Sequence, residues 1–310
     1  MTEFELIERL IRSLPTNKSS TVGAGDDCAV VDVGLPDRLL LFKTDAVVET
    51  VHFQPDTPAE KVGHKALARC FSDIAAMAGS PLSALVTIGL PAGFDVARVE
   101  GIYAGIAALA RRFETAIAGG ETTRSPERMF LSIALIGTVP RGKAVLRSGA
   151  EAGDALFVTG ELGGSLAGKH LDFEPRLVEA RWLVEHCSIH AMLDISDGLA
   201  GDLRHLLKAS RLGAELLTTA IPISREAKLA ARGGGSAKTP LMAALTDGED
   251  FELLFTVPSK DAVPLLDAWR ARFPELPLNC IGKITEREGI TLRDKHGVRP
   301  LSANGYVHFP

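Results

Sequence analysis

Acidic side chains recur in this sequence at the points where an apolar segment meets a turn or a helix. Asp45 follows the apolar run of residues 39–42, and Asp194 follows Met192 and Leu193. The whole set is Asp27, Asp45, Asp73, Glu121, Asp194 and Asp197. Hard oxygen ligands without a Cys/His set favour Mg²⁺, and Mg²⁺ usually binds together with substrate phosphates. The pattern predicts a Mg²⁺- and ATP-dependent phosphoryl-transfer enzyme and leaves the acceptor open.

Each acid also has a purely structural explanation. Asp45 fits an Asx turn after a strand, and either Ser196 or Asp197 fits the cap of the helix that follows. Capping accounts for one carboxylate of that pair and not for both. Adjacent Asp26 and Asp27 repel each other, so they are either exposed or held by a cation. Repetition along the chain favours the metal site.

Two further motifs suggest known sites and are rejected. Gly163, Gly168 and Lys169 fit the G-x-x-x-x-G-K of a P-loop, but His170 stands where that motif needs a hydroxyl for Mg²⁺. Small residues that ease strand-to-helix packing explain the stretch better. The i, i+4 pair His186 and His190 lacks a glutamate base and a third zinc ligand, which favours ordinary packing.

Loop residues provide candidate phosphate contacts. Residues 119–123, Gly-Gly-Glu-Thr-Thr, are predicted to form a loop between strands, either a phosphate or metal cradle or a simple turn. Arg147 lies in a Gly-, Arg-, Lys- and Glu-rich segment that we predict to be the domain boundary. An arginine there either clamps a phosphate or belongs to a surface linker.

Length and composition limit the class of protein. The chain has 310 residues, a formal net charge of -5 and 46% hydrophobic residues, which indicates a globular protein and argues against nucleic acid as the main partner. Four dispersed cysteines indicate free thiols in a reducing compartment. The N-terminus is predicted to be an amphipathic helix and not a signal peptide, and no apolar run is long enough for a membrane span. We therefore expect a cytoplasmic protein.

Hydrophobic periodicity predicts alternating strands and helices in two domains, 1–140 and 141–310. Helices are predicted over residues 59–78, 96–113 and 261–273, and a flexible loop over 230–238. Strands are predicted over residues 39–42, 83–90, 129–139, 155–159, 251–257 and 280–284.

At these motifs the chain resembles the thiamine-monophosphate kinases, which belong to the aminoimidazole-ribonucleotide-synthetase superfamily. The segments that carry the resemblance occur in the family's order and cover nearly the whole chain. They are GDDCAVV (25–31), KTDAVVETVHF (43–53), KALARCFSDIAAMAGSP (65–81), GGETT (119–123), LRSGA (146–150), DISDGL (194–199), DGEDFELLF (247–255) and GYVHF (305–309).

The resemblance implies an α/β (α+β) protein with an N-terminal domain that binds ATP and Mg²⁺ and forms a barrel-like homodimer interface, and a C-terminal α/β domain. It implies transfer of the γ-phosphate of ATP to thiamine phosphate, with metal-assisted in-line transfer and no catalytic base. The implied metal ligands are Asp27, Thr44, Asp45, Asp73, Glu121, Asp194 and Asp197. The implied ATP contacts are Gly120, Glu121, Arg147 and Ser196, and the implied thiamine phosphate contacts are His52, Glu249 and Tyr306.

Three positions depart from the family pattern. Glu121 stands where the family has Asp, and its extra methylene shifts a ligand atom by about 1.5 Å. Lys43 replaces a small or hydroxyl residue and adds either a phosphate contact or a surface charge. Asp247 replaces a small residue before Gly-Glu-Asp.

Two other functions compete with this one. The first is an ATP-dependent synthetase of the same superfamily, which activates an amide oxygen. The second is a non-catalytic maturation scaffold, which would need a C-terminal peptide extending beyond Phe309 and Pro310.

Overall fold

The computed structural model describes residues 3–233, 238–303 and 305–306. Its contacts divide the chain into two compact units. The N-terminal unit comprises residues 18–144 and 170–177, and the C-terminal unit comprises residues 1–17, 145–169 and 178–310. Both units combine helices with one sheet, so sequence periodicity correctly predicted a mixed α and β protein. The division at residue 140 stays a prediction.

A six-stranded sheet forms the N-terminal unit, in the order β1-β2-β3-β6-β4-β5. Neighbouring strands are antiparallel except β4 and β5, which are parallel. The elements are β1 (Ser20–Val22), β2 (Ala29–Val31), β3 (Arg38–Val48), α2 (Ala59–Ala76), β4 (Ser80–Leu90), α3 (Val96–Arg112), β5 (Ala116–Arg124) and β6 (Phe130–Pro140). In this single chain the sheet is open, with β1 and β5 at its two edges, so the predicted barrel is not closed here.

The C-terminal unit contains a seven-stranded sheet in the order β13-β12-β9-β11-β7-β10-β8. Its elements are α1 (Glu3–Ile11), β7 (Ala155–Thr159), α5 (Leu177–His186, whose first residue belongs to the N-terminal unit), β8 (Ala191–Asp194), α6 (Leu199–Ser210), β9 (Gly213–Leu217), α7 (Arg225–Arg232), α8 (Pro240–Thr246), β10 (Leu253–Val257), α9 (Ala262–Arg272), β11 (Leu278–Thr285), β12 (Gly289–Asp294) and β13 (Gly297–Pro300). A short helix α4 (Lys169–Asp172) lies where the chain passes from one unit to the other.

Most predicted elements are present, with shifted ends. β3 is longer than the apolar run that predicted it, because its polar residues 43–45 continue the alternation of more and less exposed positions on a sheet that is covered on one face. Residues 119–123, predicted to be a loop, lie within β5, which is a correction. Glycines and hydroxyls favour turns, but pairing with β4 over residues 83–90 holds this segment extended. Of the predicted loop over 230–238, residues 234–237 lie outside the described residues, and α7 extends to Arg232.

One face of the N-terminal sheet is covered by α2, which contacts β3, β4 and β6. The strands supply Leu41, Val86 and Leu135 to this interface, and all three are fully buried. On the opposite face the side chains of Phe42 and Leu85 are about half exposed. Among the described residues, no helix combines the length and apolar character needed to cross a membrane.

Glycines allow α2 and α3 to approach each other closely. A Cβ added at Gly63 would lie 1.9 Å from the carbonyl oxygen of Ile102, and one at Gly105 would lie 2.0 Å from that of Glu60. Both distances are far below van der Waals contact, so neither position accepts a side chain without moving a helix backbone.

We expect Gly63→Ala to lower the free energy of unfolding by about 2 kcal/mol or more, because overpacking outweighs the better helix propensity of alanine. Urea unfolding measures the change. Gly23→Ala is the matched control, since an added Cβ at Gly23 meets no atom within 4 Å. Equal stability of the two variants would contradict the assigned helix contact.

Candidate functional site

Two acidic and two positively charged side chains of the N-terminal unit lie between β3 and α2. Lys43 and Asp45 are two residues apart on β3, so both point to the face that α2 covers. Lys43 Nζ lies 2.7 Å from Asp73 Oδ1. Arg69 donates to both oxygens of Asp45, from Nε at 2.9 Å and from Nη2 at 3.2 Å. Asp73, which sequence periodicity placed beside the apolar face of α2, therefore points into a cluster of charges.

These charges hold one another ionised. Burial acts to raise the pKa of Asp45, but Arg69, Lys43 and the Ala46 amide outweigh it, so its pKa lies below the ordinary value. Burial acts to lower the pKa of Lys43, but Asp73 and Asp45 outweigh it and raise this pKa above the ordinary value. Both groups are charged at neutral pH.

Asp27 joins this group. Asp27 and Asp73 are 3% and 7% exposed, and a carboxylate oxygen of each lies within 4.8 Å of one from the other. The Cys28 amide donates to Met77 Sδ at 3.0 Å, which anchors the Asp27 turn to the end of α2. Two buried carboxylates this close repel each other, so this donor set fits a hard cation such as Mg²⁺.

Thr44 and the residues of β5 lie elsewhere in the N-terminal unit. Thr44 is exposed and its side chain points to the face of β3 opposite Asp45. β6 and β4 separate β5, with Gly120 and Glu121, from β3. Glu121 is exposed and accepts a hydrogen bond from the Thr122 amide at 2.9 Å. A side chain at Gly120 would place Cβ 1.8 Å from the Val86 carbonyl oxygen, so strand pairing explains this glycine.

His52 lies in the turn after β3 and is held from both sides. The Val48 amide donates to His52 Nδ1 at 3.0 Å, which leaves Nε2 as the protonated nitrogen of the neutral ring. Lys65 Nζ donates to the His52 carbonyl oxygen at 2.6 Å and lies 2.7 Å from His170 Nδ1. The fully buried Lys65 thus fixes the His52 turn on α2.

The C-terminal unit gathers a second set of acids where β8 meets α6. Asp194 ends β8 and is 5% exposed. Asp202, in the first turn of α6, accepts a hydrogen bond from the Asp197 amide at 2.9 Å. Burial, and then the charges of Asp197 and Asp194, raise the pKa of Asp202 well above its ordinary value. Asp194 and Asp202 are buried and Asp197 is half-buried, and acids whose charges act on one another in this way fit a bound cation.

Asp202 was missed by the sequence reasoning, although a signal was present. It lies three residues after Leu199 and four before Leu206, both fully buried on α6. A carboxylate at that spacing belongs to the apolar face of the helix. Asp73 likewise lies one residue from Ile74 on the apolar side of its helix, which by itself left it either a solvated neighbour or a ligand.

Residues 247–252 and 194–198 are distant in sequence and pair through their backbones. The Glu249 amide donates to the Ser196 carbonyl oxygen at 2.7 Å, and the Phe251 amide donates to that of Ile195 at 2.8 Å. A Cβ at Gly248 would lie 2.7 Å from the Ser196 carbonyl oxygen. Glycine at this position therefore allows the backbones of the two acidic segments to come into contact. This contact places Glu249 beside the segment that contains Asp194, Ser196 and Asp197.

The end of the described chain lies on the same turn. The Tyr306 amide donates to the Asp197 carbonyl oxygen at 2.8 Å, and the side chain of Tyr306 is about half exposed. The rest of the C-terminal motif, including His308 and Phe309, lies outside the described residues. Arg147 is anchored near β8, because the Ser210 hydroxyl donates to its carbonyl oxygen and the Met192 amide donates to that of Leu146.

The P-loop-like segment has its amides occupied by acids. The Gly163 amide donates to both oxygens of Asp250, at 3.1 and 2.9 Å, and the Gly164 amide donates to Asp247 at 3.1 Å. A P-loop points such amides at phosphate. Asp247, one of the departures from the family pattern, also pairs with Lys238 at 2.7 Å and fixes this loop.

The predicted packing of the two histidines has a direct explanation. His186 stacks on Trp182, with ring centroids 4.7 Å apart. His190 Nδ1 lies 2.9 Å from Asp154 Oδ2, which also accepts from the Glu151 amide. These contacts fix the turn before β7.

Comparison with known proteins identifies the family. Family models for the N-terminal and C-terminal domains of AIR synthase related proteins match residues 25–139 and 151–295. Thiamine-monophosphate kinase from Rhodopirellula baltica is 41% identical over 280 residues, which cover 88% of this chain and 86% of that protein. The chain belongs to the thiamine-monophosphate kinase family.

The solved structures agree with this assignment. The structure of AaThiL complexed with AMPPCP and TMP matches with a TM-score of 0.84 and 31% identity, and covers 99% of this chain and 97% of that one. The expected two-domain α/β (α+β) fold of the superfamily is thereby confirmed. E. coli HypE, a hydrogenase maturation protein, matches 96% of this chain and 97% of its own with a TM-score of 0.72, but at 21% identity it shares the fold alone.

In this member of the thiamine-monophosphate kinase family, the backbone of Glu249 is strained, because its φ angle is +64°. We expect Glu249→Gly to have a free energy of unfolding about 1 kcal/mol above that of Glu249→Ala, because only alanine keeps the left-handed strain. Chemical denaturation of the two variants measures this difference. A less stable glycine variant would contradict the assigned conformation.

Asp250 predicts a dependence of stability on pH. Burial raises the pKa of Asp250 to about 7, although Lys169 and the Gly163 amide act to lower it. The folded protein therefore binds this proton at a higher pH than the unfolded chain, and the free energy of unfolding falls as pH rises from about 4 to 7. In Asp250→Asn this decrease between pH 5 and 8 should be smaller by about 2–3 kcal/mol.

Urea unfolding across that pH range checks the Asp250 prediction. Asp267→Asn is the control, because its carboxylate is 72% exposed. Parallel pH curves for Asp250→Asn and the wild type would contradict the raised pKa.

Proposed function

We propose that this protein transfers the γ-phosphate of ATP to thiamine phosphate, giving thiamine diphosphate and ADP. The observation that carries the proposal is the match along nearly the whole chain to kinases of this name, one of them solved with AMPPCP and TMP. The acidic clusters of both units support it, since a kinase must offset the charge of two phosphorylated substrates.

Magnesium is the proposed metal. It fits the buried pair Asp27 and Asp73 of the N-terminal unit and, in the C-terminal unit, buried Asp194 with half-buried Asp197. In the N-terminal unit Asp27, Asp45 and Asp73 would hold one ion. Thr44, whose side chain points to the opposite face of β3, and Glu121, on β5, would bind a separate ion. In the C-terminal unit Mg²⁺ would be held by Asp194 and Asp197. When bound, Mg²⁺ neutralises phosphate charge and aligns the in-line attack.

The proposed nucleotide contacts are Gly120, Glu121, Arg147 and Ser196. Arg147 offers a planar guanidinium suited to a phosphate, and Ser196 offers a hydroxyl beside Asp194 and Asp197. Asp202 is a positioning residue, because it accepts a hydrogen bond from the Asp197 amide and orients that turn.

The proposed thiamine phosphate contacts are His52, Glu249 and Tyr306. The Nε2–H of His52 donates to an anionic oxygen, and the carboxylate of Glu249 attracts the positive thiazolium ring. The exposed aromatic ring of Tyr306 offers a stacking surface for the flat rings of thiamine. The acceptor phosphate oxygen is already an anion, so no side chain has to remove a proton.

The direct test is to incubate the purified protein with ATP, MgCl₂ and thiamine phosphate and to identify the products by chromatography. Equal amounts of thiamine diphosphate and ADP are expected. ATP binding with thiamine phosphate unchanged would favour the synthetase alternative, and nucleotide binding without any turnover would favour the maturation scaffold.

We expect Asp73→Asn and Asp194→Asn to fold normally and to lose at least about 100-fold in kcat at saturating MgCl₂, because each removes a charged ligand for Mg²⁺. Steady-state assays and circular dichroism measure the two properties. The control is Asp267→Asn, on the exposed face of α9. Near-wild-type turnover in both variants would overturn the metal assignment.

We also propose a homodimer in the cytoplasm, with no nucleic acid or membrane partner. The half-exposed apolar side chains of Phe42 and Leu85 on the open face of the N-terminal sheet support a second copy as the partner. Light scattering tests this assembly.

A further inference from the structure

Lys43 places a fixed positive charge inside the N-terminal acid cluster. Its Nζ lies 2.7 Å from Asp73 Oδ1, and the two side chains are 22% and 10% exposed. Asp73 in turn has a carboxylate oxygen within 4.8 Å of one from Asp27. The ammonium therefore contacts a carboxylate to which the proposed function assigns Mg²⁺.

The backbone geometry of β3 directs the side chain of Lys43 toward Asp73. Lys43 and Leu135 are directly opposite each other on β3 and β6, and Leu41 on the same face of β3 is fully buried. A side chain at position 43 must therefore point toward α2, where Asp73 lies in the last turns of that helix. Arg69, four residues before Asp73 on α2, is engaged with both oxygens of Asp45. Lys43 is thus a cation in direct contact with Asp73.

We propose that Lys43 acts as a tethered monovalent cation that stabilises the acid cluster without metal and lowers the affinity of that cluster for Mg²⁺. This inference rests on the proposed metal role of Asp27 and Asp73. Without metal, the ammonium offsets the repulsion between two buried carboxylates. With metal, the ammonium repels the incoming divalent ion, so Lys43 sets the Mg²⁺ concentration at which the cluster fills.

Three single variants separate charge from hydrogen bonding and from general surface effects. Lys43→Gln keeps a donor toward Asp73 and removes the charge. Lys43→Arg keeps the charge. Lys61→Gln is the matched control, because Lys61 makes an ion pair with Asp172 in the same unit while both side chains are largely exposed.

Two measurements are made on the purified full-length chain, and neither requires ATP or thiamine phosphate. In EDTA, we expect the melting temperature of Lys43→Gln to fall by about 5 °C or more, since a buried acid loses its partner. In calorimetric titration with MgCl₂ alone, its dissociation constant should fall at least about tenfold. Lys43→Arg and Lys61→Gln should stay close to the wild type in melting temperature and in Mg²⁺ dissociation constant.

A Lys43→Gln variant with the wild-type melting temperature in EDTA, or with Mg²⁺ affinity no tighter than the wild type, would overturn the proposal. If Lys43→Gln does not fold, folding of the double variant Lys43→Gln/Asp73→Asn tests the proposal instead. A folded double variant supports the proposal, because removal of the second charge restores stability, and an unfolded one overturns it. Failure of the kinase assignment would instead appear as absence of thiamine diphosphate formation by the wild type.

Discussion

Burying carboxylates beside one another is the electrostatic constraint on which both units depend. In the N-terminal unit, Lys43 and Arg69 supply positive charge to Asp73 and Asp45, and these ion pairs also join α2 to β3. In the C-terminal unit, the Asp197 amide donates to Asp202, whose pKa is raised by burial and by the charges of Asp197 and Asp194. A cation that enters such clusters replaces these partners, so metal binding and local stability are linked.

Backbone proximity is the second constraint. The turn after β8 and the segment before β10 are hydrogen-bonded to each other through residues 195–196 and 249–252. A Cβ at Gly198 would lie 2.8 Å from the Asp247 carbonyl oxygen, and Glu249 and Phe251 have positive φ angles. Strain of this kind persists only where surrounding contacts enforce it, and here it brings a substrate-binding candidate next to the acids.

Sequence patterns predicted some of these features because their physics is local. An acid beside the apolar face of a helix is either solvated or a ligand directed into a site. Periodicity therefore made Asp73 a candidate and would have done the same for Asp202. The predicted helix over 59–78 and strand over 155–159 match α2 and β7 because periodicity and flanking turns agree there. Residues 119–123 were misplaced because strand pairing overrides the turn preference of glycine.

The sequence by itself determined the chemistry of this protein: repeated carboxylates without a Cys/His set, in an order that resembles one kinase family. It also determined the mixed α and β architecture, since hydrophobic periodicity is a property of short segments. Only the tertiary structure decided which charges are partners. Lys43 meets Asp73 across 30 residues and Gly163 meets Asp250 across 87, and no local pattern encodes such distant contacts. Packing of helix on sheet and pairing of strands select them.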